Sequence, residues 1–153
     1  MQRSQSSTSQ YPTFQESAIY VRREIHDQYG GQRQGGISTP ASVPAIFLFT
    51  GTTGQEHGYG FDHWEDSETF LYTGEGQPDQ GDMTFVRGNK AIRDHQENDK
   101  RVYLFEILPK TPENRGKARF RSELELRDYQ IIDRDSTGIP RKVIVFRFKR
   151  VSG

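Results

Sequence analysis

The sequence predicts an α+β domain, a curved, partly closed β-barrel of about seven strands with flanking short helices. Three observations carry that expectation. Ala118, Phe120, Ser122, Leu124 and Leu126 alternate with Lys117, Arg119, Arg121, Glu123 and Glu125, a period of two sustained across the segment. Short apolar runs bounded by Pro and Gly recur along the rest of the chain, whereas helical spacing shows in only two places. The apolar fraction is 31%, yet it includes ten Phe, seven Tyr and one Trp, which bury large areas each. A chain of 153 residues is about one domain with one core.

The elements follow in order. Residues 1–12 open with the Ser/Gln-rich MQRSQSSTSQ and are expected to be a disordered lead-in, with the domain spanning 13–153. A first helix is predicted next. Thr13 and Glu16 have capping-box spacing, Phe14, Ala18, Val21 and Ile25 form one stripe, and Gly30-Gly31 supplies a stop. Gln32 to Pro44 reads as a loop. Ala45-Ile46-Phe47-Leu48-Phe49, closed off by Pro44 and Gly51, reads as a buried strand, and further strands are expected at Thr69–Thr73 and Met83–Val86. Asn89–Asn98 suits a short helix with Ala91, Ile92 and His95 inward. Arg101–Leu108, the alternating segment, Tyr129–Asp133 and Lys142–Arg150 complete the strands, with a turn at Asp135-Ser136-Thr137-Gly138.

Composition excludes several classes of function. With no cysteine, disulfides, thiolate metal sites and cysteine nucleophiles are out. No apolar run approaches the roughly 20 residues of a membrane span, and the N-terminus lacks the apolar core of a secretory signal. A cytoplasmic protein with no membrane partner is therefore expected. The net charge is +0 but unevenly spread. Residues 51–82 hold acids and no Lys or Arg, whereas 83–121 are rich in both Lys and Arg. A local basic face can serve nucleic acid even when the whole chain is neutral, because fields act over about 8–10 Å at physiological salt. A mixed-charge surface folded together is the plainer alternative.

The most informative stretch is GYGFDHWEDSETFLYTGEGQPDQGDMTFVRGNKAIRDH, residues 58–95. Tyr59, Phe61, Trp64, Phe70 and Tyr72 crowd among Asp62, Glu65, Asp66 and Glu68, with glycines that let backbone approach a ligand closely. Aromatic walls with a carboxylate on the rim suit a heteroaromatic ring bearing an exocyclic amine, as cytosine does at N4. An aromatic core with surface acids explains the same letters. Arg87, Lys90 and Arg93 recur at helical spacing beside Gly88 and Asn89, and such residues are natural phosphate contacts.

The run from Gly30 to Glu106 resembles the SRA domains of McrA-type HNH restriction endonucleases, within the PUA-like superfamily. The pieces are GGQRQGGISTP (30–40), IFLFTG (46–51), YGFDHW (59–64), YTGEGQ (72–77), GDM (81–83), RGNKAIRDH (87–95) and VYLFE (102–106). The resemblance implies a domain that flips a modified cytosine, 5-methyl or 5-hydroxymethyl, out of duplex DNA. The base would sit between two aromatic rings with an aspartate on its Watson–Crick edge. On that pattern Tyr59 and Tyr72 are the walls and Asp62 reads N4, with Trp64, Thr73 and Gly74 beside them. Where the family's loop is often YDG, this chain has Phe61-Asp62-His63, which makes Phe61 a rival to Tyr59. Arg87, Asn89, Lys90 and Arg93 would lie near the DNA backbone. Lys117 and Arg119 could add to them, and Gln32, Arg33 and Gln34 could enter a groove.

Energetics suit two walls rather than one. Flipping costs a few kcal/mol, and stacking returns about 1–3 kcal/mol per base by alanine substitution. A buried methyl adds about 0.8 kcal/mol, so preference for the modified base should be several-fold. Partners expected from the resemblance are modified double-stranded DNA and a nuclease domain in cis or trans, with a homodimer as a further assembly. No catalytic residues, metal or cofactor are expected. His57 and His63 fit no ligand spacing, and Asn89 and His95 lack the flanking pattern of an HNH centre. Three rivals are an RNA or single-strand reader of the PUA type, a small metal-dependent nuclease built on the acidic 56–82 stretch, and a protein-interaction module.

Overall fold

A computed structural model describes residues 10–51, 61–76 and 81–151. Among them are eight strands and two short helices, in the order β1 (Ile19–Val21), α1 (Arg22–Tyr29), β2 (Ile37–Ser38), β3 (Ala45–Thr50), β4 (His63–Trp64), β5 (Thr69–Thr73), α2 (Arg87–Arg93), β6 (Arg101–Ile107), β7 (Lys117–Arg134) and β8 (Pro140–Arg150). The strands form one sheet, β2-β3-β6-β7-β8-β5-β4, with β1 added along β7. β7 pairs with β6 through its first part and with β8 through its second, and the sheet does not close on itself along this path.

β3 and β6 pair in parallel, Ala45 opposite Arg101 through Thr50 opposite Glu106. Parallel strands are covered on both faces, which is why Ala45–Phe49 and Val102–Phe105 read as continuous apolar runs. The pair separates two cores. On one side Ile46, Leu48, Val102 and Leu104 meet Phe70, Tyr72, Met83, Ile92, Leu124 and the β8 residues Val143–Phe146 and Phe148. On the other, Phe47, Phe49, Tyr103 and Phe105 meet Ile25, Ala118 and Phe120. Phe14 plugs this second core, edge-on to Phe105 at 4.9 Å, Tyr20 at 5.2 Å and Tyr103 at 5.4 Å. Such edge-to-face contacts add about 0.5–1.5 kcal/mol each beyond area burial.

β7 serves both cores, and a bulge allows it. Phe105 pairs with Phe120 but Leu104 pairs with Ser122, so Arg121 is an extra residue. Ala118 and Phe120 therefore face the aromatic core, whereas Leu124 and Leu126 face the other. The single apolar face inferred from the alternation is in fact two half-faces pointing opposite ways.

Other expectations are corrected. Residues 13–18 are not helical: Phe14 is drawn into the aromatic core, Ser17 sits at φ 70, and the helix begins at Arg22. The stop is as expected, with Gly30 at φ 89 donating its N–H to His26 O. Tyr11 and Pro12, assigned to the lead-in, dock on β6: Arg101 lies 3.7 Å over the Tyr11 ring, and Tyr103 Oη donates to Pro12 O at 2.7 Å. Met83–Val86 is irregular, not a strand, because Met83 turns inward to fill the core, while its N–H donates to Lys142 O. Lys117–Asp133 is continuous in β7 instead of two strands. The helix expected over 89–98 starts and ends earlier, at Arg87 and Arg93, and Asp99 at φ 55 turns the chain into β6. Among the described residues no helix is long and apolar enough to cross a membrane.

Candidate functional site

A cavity of about 1180 Å³ opens where β3, β5, the loop before β2 and the N-terminal part of α2 converge. It is larger than the roughly 300–1,000 Å³ of common ligand pockets. Phe49, Thr50, Tyr72, Thr73 and Gly74 form the wall that the sheet supplies, because β3 and β5 present their C-terminal ends there. Gly36, at the opposite side, comes so close to Tyr72 that a Cβ would lie 2.4 Å from Oη. Only glycine leaves Tyr72 its place.

Asp62 is the central group. Its Oδ1 accepts the Thr73 backbone N–H at 2.6 Å, and its Oδ2 accepts the Thr50 hydroxyl at 2.9 Å. Burial pushes its carboxyl up to about 6, against the pull of the hydrogen bonds from Thr73 and Thr50 and of nearby His63. No guanidinium or ammonium is bonded to it among the described residues. Each carboxylate oxygen has two acceptor sites, so the ion keeps capacity for a donor arriving from the cavity. The carboxylic acid could in turn donate.

Arg22 reaches the cavity from the first residue of α1. Its guanidinium lies 3.8 Å over the Phe49 ring. Nε donates to His26 Nε2 at 3.0 Å and Nη2 to Gln32 O at 3.1 Å. His26 is buried, and its Nδ1 lies 2.9 Å from Gly30 O, an acceptor only. That pairing fixes the Nδ1–H tautomer and frees Nε2 to accept from Arg22. Burial lowers the His26 pKa below the usual imidazole range and brings Arg22 down to about 10, so the ring stays neutral beside a cation.

The other rim is built by polar clamps. Asn89 is buried, its Oδ1 accepting Glu75 N–H at 2.8 Å while its Nδ2 donates to Glu75 O and Thr84 O, each at 3.0 Å. Glu75 Oε2 accepts Gly88 N–H at 3.0 Å, and burial raises the Glu75 carboxyl above its ordinary value. Farther back, Arg141 donates from Nη1 to Gly76 O at 2.9 Å and Gly81 O at 3.2 Å. Its Nε pairs with Asp135 Oδ2 at 3.1 Å, both side chains being buried. The Thr137 hydroxyl, Ile139 N–H, Arg141 and Thr137 N–H hold Asp135 down to about 2.

The structure gathers some of the sequence-derived candidates and scatters others. Asp62, Tyr72, Thr73, Gly74, Gln34, Arg87 and Asn89 line the cavity. Tyr72 is nearly enclosed, its Oη donating to Phe49 O at 3.2 Å. Tyr59 lies outside the described residues, as does His57. Phe61 and Trp64 instead pack against the first core, Trp64 edge-on to Phe70 at 5.1 Å with Arg150 over its other side. Asn89 spends its amide within the chain. Among the basic candidates, Arg33 pairs with Asp27, Arg93 with Asp94 and Arg119 with Ser17 O. Gln32 bonds Thr39, and Lys90 is exposed on α2. Lys117 lines a second hollow next to the cavity. His95 donates Nδ1–H to Lys100 O and accepts Leu126 N–H at Nε2, a structural role. Sequence reasoning missed Arg22, Thr50, Glu75 and Lys110. The IFLFTG run points at Thr50, but no local pattern marks Arg22. Among the described residues no cluster of three metal-ligating side chains occurs.

Comparison with known proteins places the chain in a family. No curated protein matches the chain by sequence. Among solved structures, the sulfur binding domain and SRA domain of ScoMcrA complexed with phosphorothioated DNA superposes with a TM-score of 0.63 at 19% identity, covering 92% of this chain and 41% of that one. The type IV phosphorothioation-dependent restriction endonuclease ScoMcrA gives 0.67 at 19% identity over 92% and 25%. The SUVH5 SRA domain in complex with methylated CHH DNA gives 0.64 at 17% identity over 93% and 92%. This chain thus spans less than half of the ScoMcrA chains and nearly all of the SUVH5 one. At these identities the likeness shows a shared fold. The ScoMcrA-like SRA-domain family matches residues 16–153, and the chain is a member of it.

Proposed function

We propose that this SRA domain reads duplex DNA carrying a modified cytosine, flipping the base into the cavity beside Asp62. The observation that carries the reading is a half-buried carboxylate with no cationic partner among the described residues, held by Thr73 and Thr50 at the wall of a cavity that also contains Tyr72. Cytosine offers an N4 amine donor, which is what the free lone pairs of such a carboxylate accept. Tyr72 supplies one wall, and Tyr59 is the second. The reading is supported by the family and by the methylated DNA held by the SUVH5 relative. The domain has no reaction of its own in this proposal. It works in the cytoplasm as the sensor of a restriction or defence nuclease, an HNH domain in cis or trans, and a second copy of the chain is a further partner.

Fluorescence anisotropy on matched duplexes bearing cytosine, 5-methylcytosine or 5-hydroxymethylcytosine at one position tests it. Several-fold tighter binding to a modified duplex is expected. Equal binding to all three ends the modified-base reading. Equal affinity for single strands or RNA would favour the PUA-type alternative, because flipping requires a duplex.

A further inference from the structure

Beside the base cavity lies a second hollow of about 450 Å³, lined by Arg22, Ile107, Leu108, Lys110, Arg115, Gly116, Lys117 and Ala118. Arg22, Ile107 and Lys110 belong to both. Among the described residues four cations and no carboxylate line it. Elsewhere on the surface cations are commonly neutralised: Arg33 by Asp27, Arg93 by Asp94, Arg121 by Glu106, Lys142 by Asp133, Arg147 by Asp128 and Arg150 by Glu16. The side chains of Lys110, Arg115 and Lys117 have no carboxylate within salt-bridge reach among the described residues.

The backbone holds these charges in place. Arg115 N–H and Asn114 N–H donate to Thr111 O, Lys117 N–H donates to Asn114 O, and Leu108 N–H donates to Lys117 O. Gly116, at φ 75, lets the chain turn there, and its carbonyl accepts Arg22 N–H at 2.8 Å. The turn is thereby tied to the same residue whose guanidinium reaches the base cavity. Arg22 itself is fixed by His26, Gln32 and the Phe49 ring, so it stands at the junction as an oriented donor.

We infer that the hollow is a phosphate track: Arg22 grips the backbone at the nucleotide whose base enters the cavity, and Lys110, Arg115 and Lys117 carry the strand leading away from it. The track rests on the proposed DNA reading and adds a direction to it, from the cavity along the 110–117 turn. Apolar Ile107, Leu108 and Ala118 form the floor against which deoxyribose can lie. Phosphate contacts of this kind set register and orientation without reading sequence.

The test is the salt dependence of binding to the same cytosine and 5-methylcytosine duplexes. Each phosphate contact contributes about 0.9 to the slope of log affinity against log salt. The triple variant Lys110→Gln, Arg115→Gln, Lys117→Gln should flatten the slope by roughly two to three units. It should weaken both duplexes equally, leaving their ratio unchanged. An equal-charge control on β8, Lys142→Gln, Arg147→Gln, Lys149→Gln, should leave the slope as it was. All three track residues are exposed or half-buried, and the single variant Arg115→Gln, with a drop of about one unit, reads the same track should the triple fold poorly. A slope unchanged in both, or lowered as much by the control, overturns the track. Wild-type protein that binds both duplexes alike with a steep slope would overturn the base reading and leave the track standing.

Discussion

Asp62 and Asp135 are both carboxylates withdrawn from water, and they have been handled in opposite ways. Asp135 accepts from Thr137, Ile139 and Arg141 and is held down to about 2. Among the described residues Asp62 accepts only from Thr73 and Thr50, and it is pushed up to about 6. A buried charge that is paired and fully bonded is structural; one left short of partners facing a cavity is a candidate for meeting a ligand. The contrast is sharpened by position, since Asp135 works through Arg141, which bonds the carbonyl of Gly76 in the wall of the cavity containing Asp62.

The largest expected effect breaks the Asp135 side. Asp135→Ala leaves the Arg141 guanidinium buried without its anion and should lower unfolding free energy by about 3–5 kcal/mol. Urea titration measures it, and a loss below about 1 kcal/mol would mean that water or rearrangement substitutes for the pair. The next effect has the opposite sign. Asp62→Asn keeps an acceptor for Thr73 N–H while removing a charge that burial disfavours, so stability at neutral pH should rise, by up to about 3 kcal/mol. The same variant should lose discrimination between modified and unmodified cytosine, a trade of function for stability. A variant that is less stable and still discriminates would contradict both halves.

The third prediction uses pH. Asp62 is held above its unfolded value of 3.8, so the native state binds the extra proton between 3.8 and about 6. Its contribution to stability is fully present below the unfolded value and is lost as pH rises through about 6. The stability gap between Asp62→Asn and wild type should therefore be widest above pH 7 and close by about pH 4. Asp135 runs the other way, its contribution present above 3.8 and lost as pH falls through about 2. The smallest effect is a control on exposed pairing: Arg147→Gln, facing Asp128 in solvent, should shift stability by at most about 1 kcal/mol.

Much of this fold can be read from local pattern, and the exceptions are instructive. Thr69–Thr73 is a strand with the expected limits, and β3, β6 and β8 lie within one or two residues of expectation, because continuous or alternating apolar letters reflect burial directly. The helix expected from Thr13 fails because Phe14 gains more from a ring cluster formed with β3, β6 and β7 than from a helical stripe. That competition is tertiary and leaves no local trace. At the site, Asp62, Tyr72, Thr73 and Gly74 line one cavity, and all four are close in sequence. Arg22, Thr50 and Lys110 join them from three distant segments, brought there by the parallel pairing of β3 with β6, the pairing of β1 with β7 and the Arg22–Gly116 bond.

The bulge at Arg121 has a consequence for tolerance to changes in length. Because Phe120 and Ser122 already face opposite cores, removing Arg121 would leave every paired side chain on its own side. Removing Glu123 instead would shift Leu124 and Leu126 by one and turn them toward the wrong face. Within one strand, then, a deletion is harmless to the cores at one position and disruptive two residues later, so insertions and deletions surviving in relatives should gather at the bulge.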